Sequence, residues 1–162
     1  MGESKIVINN YMKLFELAPI FHWSPSSTDA RSTASIKFDG HEYTLSLRCN
    51  LSVPDHLRGW LDKIIDNEKN VDSGRYVELI NKDNHESFIG VGDIIKQVAT
   101  EIKTKSAAQH LKYVYMFSAT VAQQSLFKKL SNKIAEASGW SVYQDRNYFI
   151  IHKPSLKIHQ VD

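Results

Sequence analysis

Across the second half of this chain the apolar residues switch between the two-residue period of a strand and the 3.6-residue period of a helix. That alternation limits the folds open to it. Residues 75–80 read as a strand. After Gly92, the residues Ile94, Ile95, Val98, Ala99 and Ile102 form one helical face, and residues 112–117 read as a buried strand. The strongest helix runs over 122–138, with Leu126, Phe127, Leu130, Ile134 and Ala137 on one stripe and Gly139 to accept a left-handed helix end. Residues 140–143 and 148–152 close the run as a strand pair around Asp145-Arg146-Asn147. Strands and helices that alternate and then finish on a strand pair predict an α+β fold, a mixed, mostly antiparallel sheet flanked by helices.

The first half adds a hairpin. Ala34, Ile36 and Phe38 alternate with polar residues, Asp39-Gly40 supplies the tight turn, and Tyr43, Leu45, Leu47 and Cys49 resume the alternation. Leu57, Trp60, Leu61, Ile64 and Ile65 place a helix over residues 54–67, with Pro54 near its start. A short helix is expected over 10–18, a polar loop over 22–28, and loose chain beyond Pro154. A length of 162 residues suits one domain. Residues 1–154 are expected to form it, with 155–162 as a C-terminal tail.

Charge and cysteine usage narrow the function classes. Twenty basic against 18 acidic residues leave a net charge of +2, too small to demand nucleic acid, which stays a weakly supported partner. A single cysteine, Cys49, excludes an internal disulfide and a thiolate metal site. No apolar run approaches the ~20 residues that span a bilayer. A cytoplasmic protein without metal and without membrane contact is expected.

Phe88-Ile89-Gly90-Val91-Gly92 opens a helix, and Ser125-Leu126-Phe127-Lys128-Lys129-Leu130 runs on to Gly139-Trp140. In these stretches, and in the order of its elements from Ala34 to Lys153, the chain resembles the GNAT acetyltransferase superfamily. The resemblance implies a GNAT-like fold and a cofactor loop in which Gly90, Val91 and Gly92 hold the pyrophosphate of an acyl-CoA. Bare amides at a positive helix start suit such an anion. Two positions depart from the family pattern. Ser87 stands where Gln or Arg is usual, and Phe127 stands where a tyrosine commonly protonates the departing thiolate; a phenyl ring has no proton to give. Asp93 adds a negative charge beside the loop, which calls for a compensating cation. The layout also resembles small proteins of tailed phages, through the same glycine segment and Phe117-Ser118-Ala119 followed by Leu126-Phe127.

Three functions follow. Because both chemistry-bearing positions depart from the pattern, the first expectation is a non-catalytic GNAT-like binding protein with a protein partner and no cofactor. If phage-encoded, it would act on a host or viral macromolecule in the host cytoplasm. The alternative is an acyl-CoA-dependent N-acetyltransferase using acetyl-CoA, its catalytic residues unassigned. The second alternative is a 2H-type phosphodiesterase, from the two His-x-Ser tripeptides at His22 and His85, although His85 lies among polar neighbours rather than on an alternating strand. Lys103, Lys105, Lys112, Lys128, Lys129 and Lys133 read most simply as solvated helix faces.

Overall fold

The computed structural model describes residues 20–25, 31–66, 71–83 and 87–160. The helix expected over 10–18 and the histidine at position 85 lie outside them. Seven strands form one sheet: β1 (His22–Pro25), β2 (Arg31–Phe38), β3 (His41–Cys49), β4 (Gly74–Asn81), β5 (Tyr113–Phe117), β6 (Ser141–Asp145) and β7 (Tyr148–His152). Their order is β1-β2-β3-β4-β5-β7-β6. The described helices are α1 (Asp55–Ile64), α2 (Val91–Ala108) and α3 (Val121–Ser138). All strand pairs are antiparallel except β4–β5. That parallel pair needs a long crossover, and α2 provides it. The mixed, mostly antiparallel α+β architecture expected from the periodicity is the one observed.

The strands alternate between two cores. Val114 and Met116 of β5 join Val77, Leu79, Phe149 and Ile151 under α2 and α3. Tyr113 and Tyr115 join Tyr76 and Ile150 under α1. All four β5 residues from Tyr113 to Met116 are completely buried, because helices cover both faces of the sheet at its centre. The helix stripes explain the cover: Ile94, Val98, Ile102, Leu130 and Ile134 are at most 1% exposed.

Two expectations are corrected here. Residues 22–25 are a strand rather than a polar loop, with Trp23 opposite Ala34 on β2. Trp23 packs against the larger core, its indole N–H donates to Glu101, and the Lys105 ammonium lies 5.0 Å from its ring. These contacts come from α2, some eighty residues on, so no local pattern announces them. An edge position also tolerates Pro25. Residues 156–159 are seated rather than loose: Leu156 and Ile158 pack against the α1 core, and the His159 amide donates to the Ile64 carbonyl at 2.7 Å.

Candidate functional site

The parallel pair β4–β5 supplies the opening around which a site can form. Its register covers only Gly74↔Tyr113, Arg75↔Val114 and Tyr76↔Tyr115. Beyond Tyr76, β4 continues to Asn81 while still paired with β3, and β5 continues to Phe117 while paired with β7. The two central strands therefore part at their C-terminal ends. The β5-facing edge of residues 77–80 has no ladder partner among the described strands.

The glycine loop closes the same end of the sheet on the α2 side. Gly90 caps α2 in the left-handed region at φ 82°, and no side chain caps that helix start. A Cβ on Gly90 would come within 3.1 Å of the Phe38 ring, so both the conformation and the space require glycine. The loop is held from below. Tyr43 Oη donates to the Ile89 carbonyl at 2.5 Å, and Asn81 Nδ2 donates to the Ser87 carbonyl at 2.6 Å. Within the loop, the Val91 amide donates to Phe88 O and the Asp93 amide to Gly90 O.

A cleft of about 570 Å³ lies between the starts of α2 and α3, lined by Ser87, Phe88, Ile89, Gly92, Ser125 and Lys129 among others. The two helix starts are not equivalent. At α3 the Thr120 hydroxyl accepts from the Gln123 amide, and Gln123 Oε1 reaches back past the N-cap to accept from the Ala119 amide. The start of α2 has no such cap, which leaves the positive end of that helix to whatever enters the cleft. Among the described residues, Lys129 is the cation that lines the cleft, and no carboxylate lines it.

On the α1 side, the register fixes what borders the opening. Glu78 and Phe117 follow the last laddered pair, Tyr76 and Tyr115, on that same face. Glu78 is held by Arg48 at 3.1 Å and by Ser46 at 3.4 Å. The His56 ring packs edge-on against Phe117 with centroids 4.8 Å apart, and its Nδ1 lies 3.2 Å from Tyr148 Oη. Tyr148 stacks on Trp60 at 4.9 Å, and the Trp60 indole N–H donates to Asp145 at 3.0 Å. The Glu78 carboxylate thus borders the opening on one face, with His56 seated over Phe117 and Tyr148 beside it, and an uncapped helix start with a lysine lies on the other face.

The tyrosines of this region divide by burial. Asn50 bridges two of them: its Nδ2 donates to Tyr113 Oη at 2.7 Å, and Tyr115 Oη donates to its Oδ1 at 2.9 Å. Burial pushes the Tyr113 phenol up to about 12 and raises Tyr76 and Tyr115 too, so these three keep their protons.

The structure separates the three residues singled out in the loop. Gly92 lines the cleft, Gly90 shapes the turn, and Val91 is wholly buried beneath it. Phe127, which stands where the family commonly has a tyrosine, is 2% exposed and belongs to the core under α3. His22 lies exposed on the edge strand. Sequence reasoning missed Lys129, Glu78 and His56 as site residues. Lys129 sat among exposed lysines of one helix, and nothing in the spacing marks the one that faces another element.

No protein family and no curated protein matches the chain. Among solved structures it is similar to a crystal structure of the aminoglycoside acetyltransferase AAC(6')-Ib in complex with coenzyme A. The identity is 12% and the TM-score 0.43, with 76% of this chain covered. This chain spans 66% of that chain's length. The expectation of no cofactor is corrected by this comparison, since the similar protein carries coenzyme A. The cleft presents an uncapped helix start beside a lysine, an arrangement of a kind that suits an anion.

Proposed function

We propose that the chain is an acyl-CoA-dependent N-acyltransferase of GNAT-like fold. The observation that carries this reading is the parting of β4 and β5 beside the uncapped start of α2. A pyrophosphate would sit against the first-turn amides at Gly92, with the Lys129 ammonium offsetting the charge of Asp93. A Cβ added to Gly92 meets nothing within 4 Å, so the backbone there is open to close approach. The amide-bearing arm of the carrier would pair with the β5-facing edge of residues 77–80, as an added strand does. The residues present therefore fit the group.

An acyl-CoA supplies an activated thioester carbonyl. The chain's own part is to bind, to orient and to handle protons. Glu78 and His56 stand on the opposite face of the opening, where an amine can approach, and either can take its proton. Phe127 cannot return one to the thiolate, and the buried tyrosines hold theirs, so that proton comes from solvent or substrate. This feature favours a second reading, a domain that holds the acyl carrier but no longer transfers from it.

Thermal melts test the binding step. Acetyl-CoA should raise Tm by mass action, about 2.7 kcal/mol of stabilisation at a hundredfold excess over Kd. S-acetylpantetheine, which lacks the pyrophosphate, should raise it much less. No shift at millimolar acetyl-CoA sinks both readings. Thiol release from acetyl-CoA in the presence of a primary amine then separates them. Release that falls at least tenfold in Glu78→Gln or His56→Gln supports transfer, and saturable binding without release supports the second reading.

A further inference from the structure

A second pocket, of about 310 Å³, lies at the far end of the same two helices. It opens between the last turns of α2 and α3, the residue that leads into β6 and the residue that follows β7. From Gly92 to Ser106 the helix rise alone is roughly 20 Å, so this pocket is separate from the cleft at the helix starts. Its floor is apolar, with Ile134 and the half-buried Trp140 among its lining. Its rim carries basic side chains: Lys103, His110 and Lys153 all line it, and among the described residues no carboxylate does. None of the three forms an ion pair among the described residues.

Two lysines near helix ends would by themselves only complement the carbonyl dipoles. Two further observations point to a ligand. Ser106 lines the pocket, is 2% exposed, and its hydroxyl makes no hydrogen bond among the described residues. Buried hydroxyls are nearly always satisfied, so an unsatisfied one beside a cavity marks a place for a partner. His110 ends α2 in the left-handed region at φ 55°, with the Leu111 amide closing back on Ser106 O at 3.0 Å. Glycine is the usual residue in that position; a residue with a Cβ there costs about 1–2 kcal/mol. The strain holds an imidazole at the pocket rim.

We propose that this pocket binds a small organic anion with a flat apolar body, an aromatic carboxylate. The carboxylate would sit between Lys103 and Lys153 within reach of His110, with the ring against Trp140 and Ile134. Pockets of this size and lining, apolar with a few convergent polar groups, suit such ligands.

The test uses phenylacetate and its neutral amide, phenylacetamide, as probes of the whole chain. The three tryptophans give three indole signals in a ¹H–¹⁵N spectrum, and a Trp140→Phe variant assigns one of them. Phenylacetate should shift the Trp140 signal saturably and leave those of Trp23 and Trp60 in place. Phenylacetamide should bind about tenfold more weakly, the loss expected when a charge-assisted contact becomes neutral. Lys103→Gln should weaken phenylacetate by a similar factor. His110→Gly relieves the backbone strain, so it should bind more weakly while melting no lower than the parent chain. A Trp140 signal that stays fixed at millimolar phenylacetate overturns the proposal. So does equal binding of acid and amide, or unchanged affinity in Lys103→Gln.

Discussion

Gly90 and Gly92 are two residues apart, and a methyl group at each should act in opposite directions. At Gly90 it would meet the Phe38 ring in a backbone conformation with φ 82°. Gly90→Ala should therefore cost about 1–2 kcal/mol in a urea titration. At Gly92 the space is open and the backbone is helical, so Gly92→Ala should add about 0.5 kcal/mol of stability. If an anion lies against that backbone, the same change should weaken coenzyme A binding severalfold. A gain in stability with no change in affinity would remove Gly92 from the site. The sequence shows that two glycines open the helix. It does not show which one turns the chain and which one faces the cleft, because that depends on Phe38 lying beneath the loop. For the same reason Lys129 could not be told from Lys128 or Lys133. Lys133 pairs with Glu136 on the open face, whereas Lys129 reaches the cleft through the packing of α3 on α2.

At the scale of elements, local chemistry was legible and long-range pairing was not. The Asp39-Gly40 hairpin forms with both turn residues at positive φ, and Gly139 ends α3 in the left-handed region, as their residue types require. The helices and the closing strand pair fall where their periods place them. The parting of β4 from β5 leaves no mark in either strand's pattern, because both stay paired on their other edges. β1 escaped notice because its partners lie on β2 and α2. The cap of α3 is a further local device. Thr120→Ala should cost about 1 kcal/mol by removing the acceptor for the Gln123 amide. It should leave coenzyme A affinity unchanged, since the ligand is assigned to the start of α2. A matching loss of affinity in isothermal titration would move the site toward α3.

Across the whole molecule, the core under α1 couples the opening to stability. Tyr113 carries a folded-state value of about 12 against 10.0 for an unburied phenol. The unfolded chain therefore releases its proton first as pH rises. The stability that Tyr113 contributes is complete below pH ~10 and is lost between ~10 and ~12. Denaturation midpoints should fall across that window by up to about 1.4 kcal/mol per pH unit for this group, and Tyr76 and Tyr115 act in the same direction. Flat stability above pH ~10 would show these phenols reaching water. The C-terminal segment closes the same core. Ending the chain at Lys153 removes Leu156, Ile158 and the His159 bond to α1. Guanidinium unfolding of that variant should show a loss of about 2 kcal/mol for the half-buried apolar surface.

The whole functional account depends on a phosphate-bearing acyl carrier entering between α2 and α3 and lying along β4. A ¹H–¹⁵N titration with coenzyme A reads this directly. The amides of Gly92, Ser125 and Lys129 and those of residues 77–80 should shift together, with one dissociation constant, and Lys129→Glu should weaken it about tenfold. Amides that stay in place at millimolar coenzyme A, or shifts confined to the far ends of α2 and α3, would contradict it.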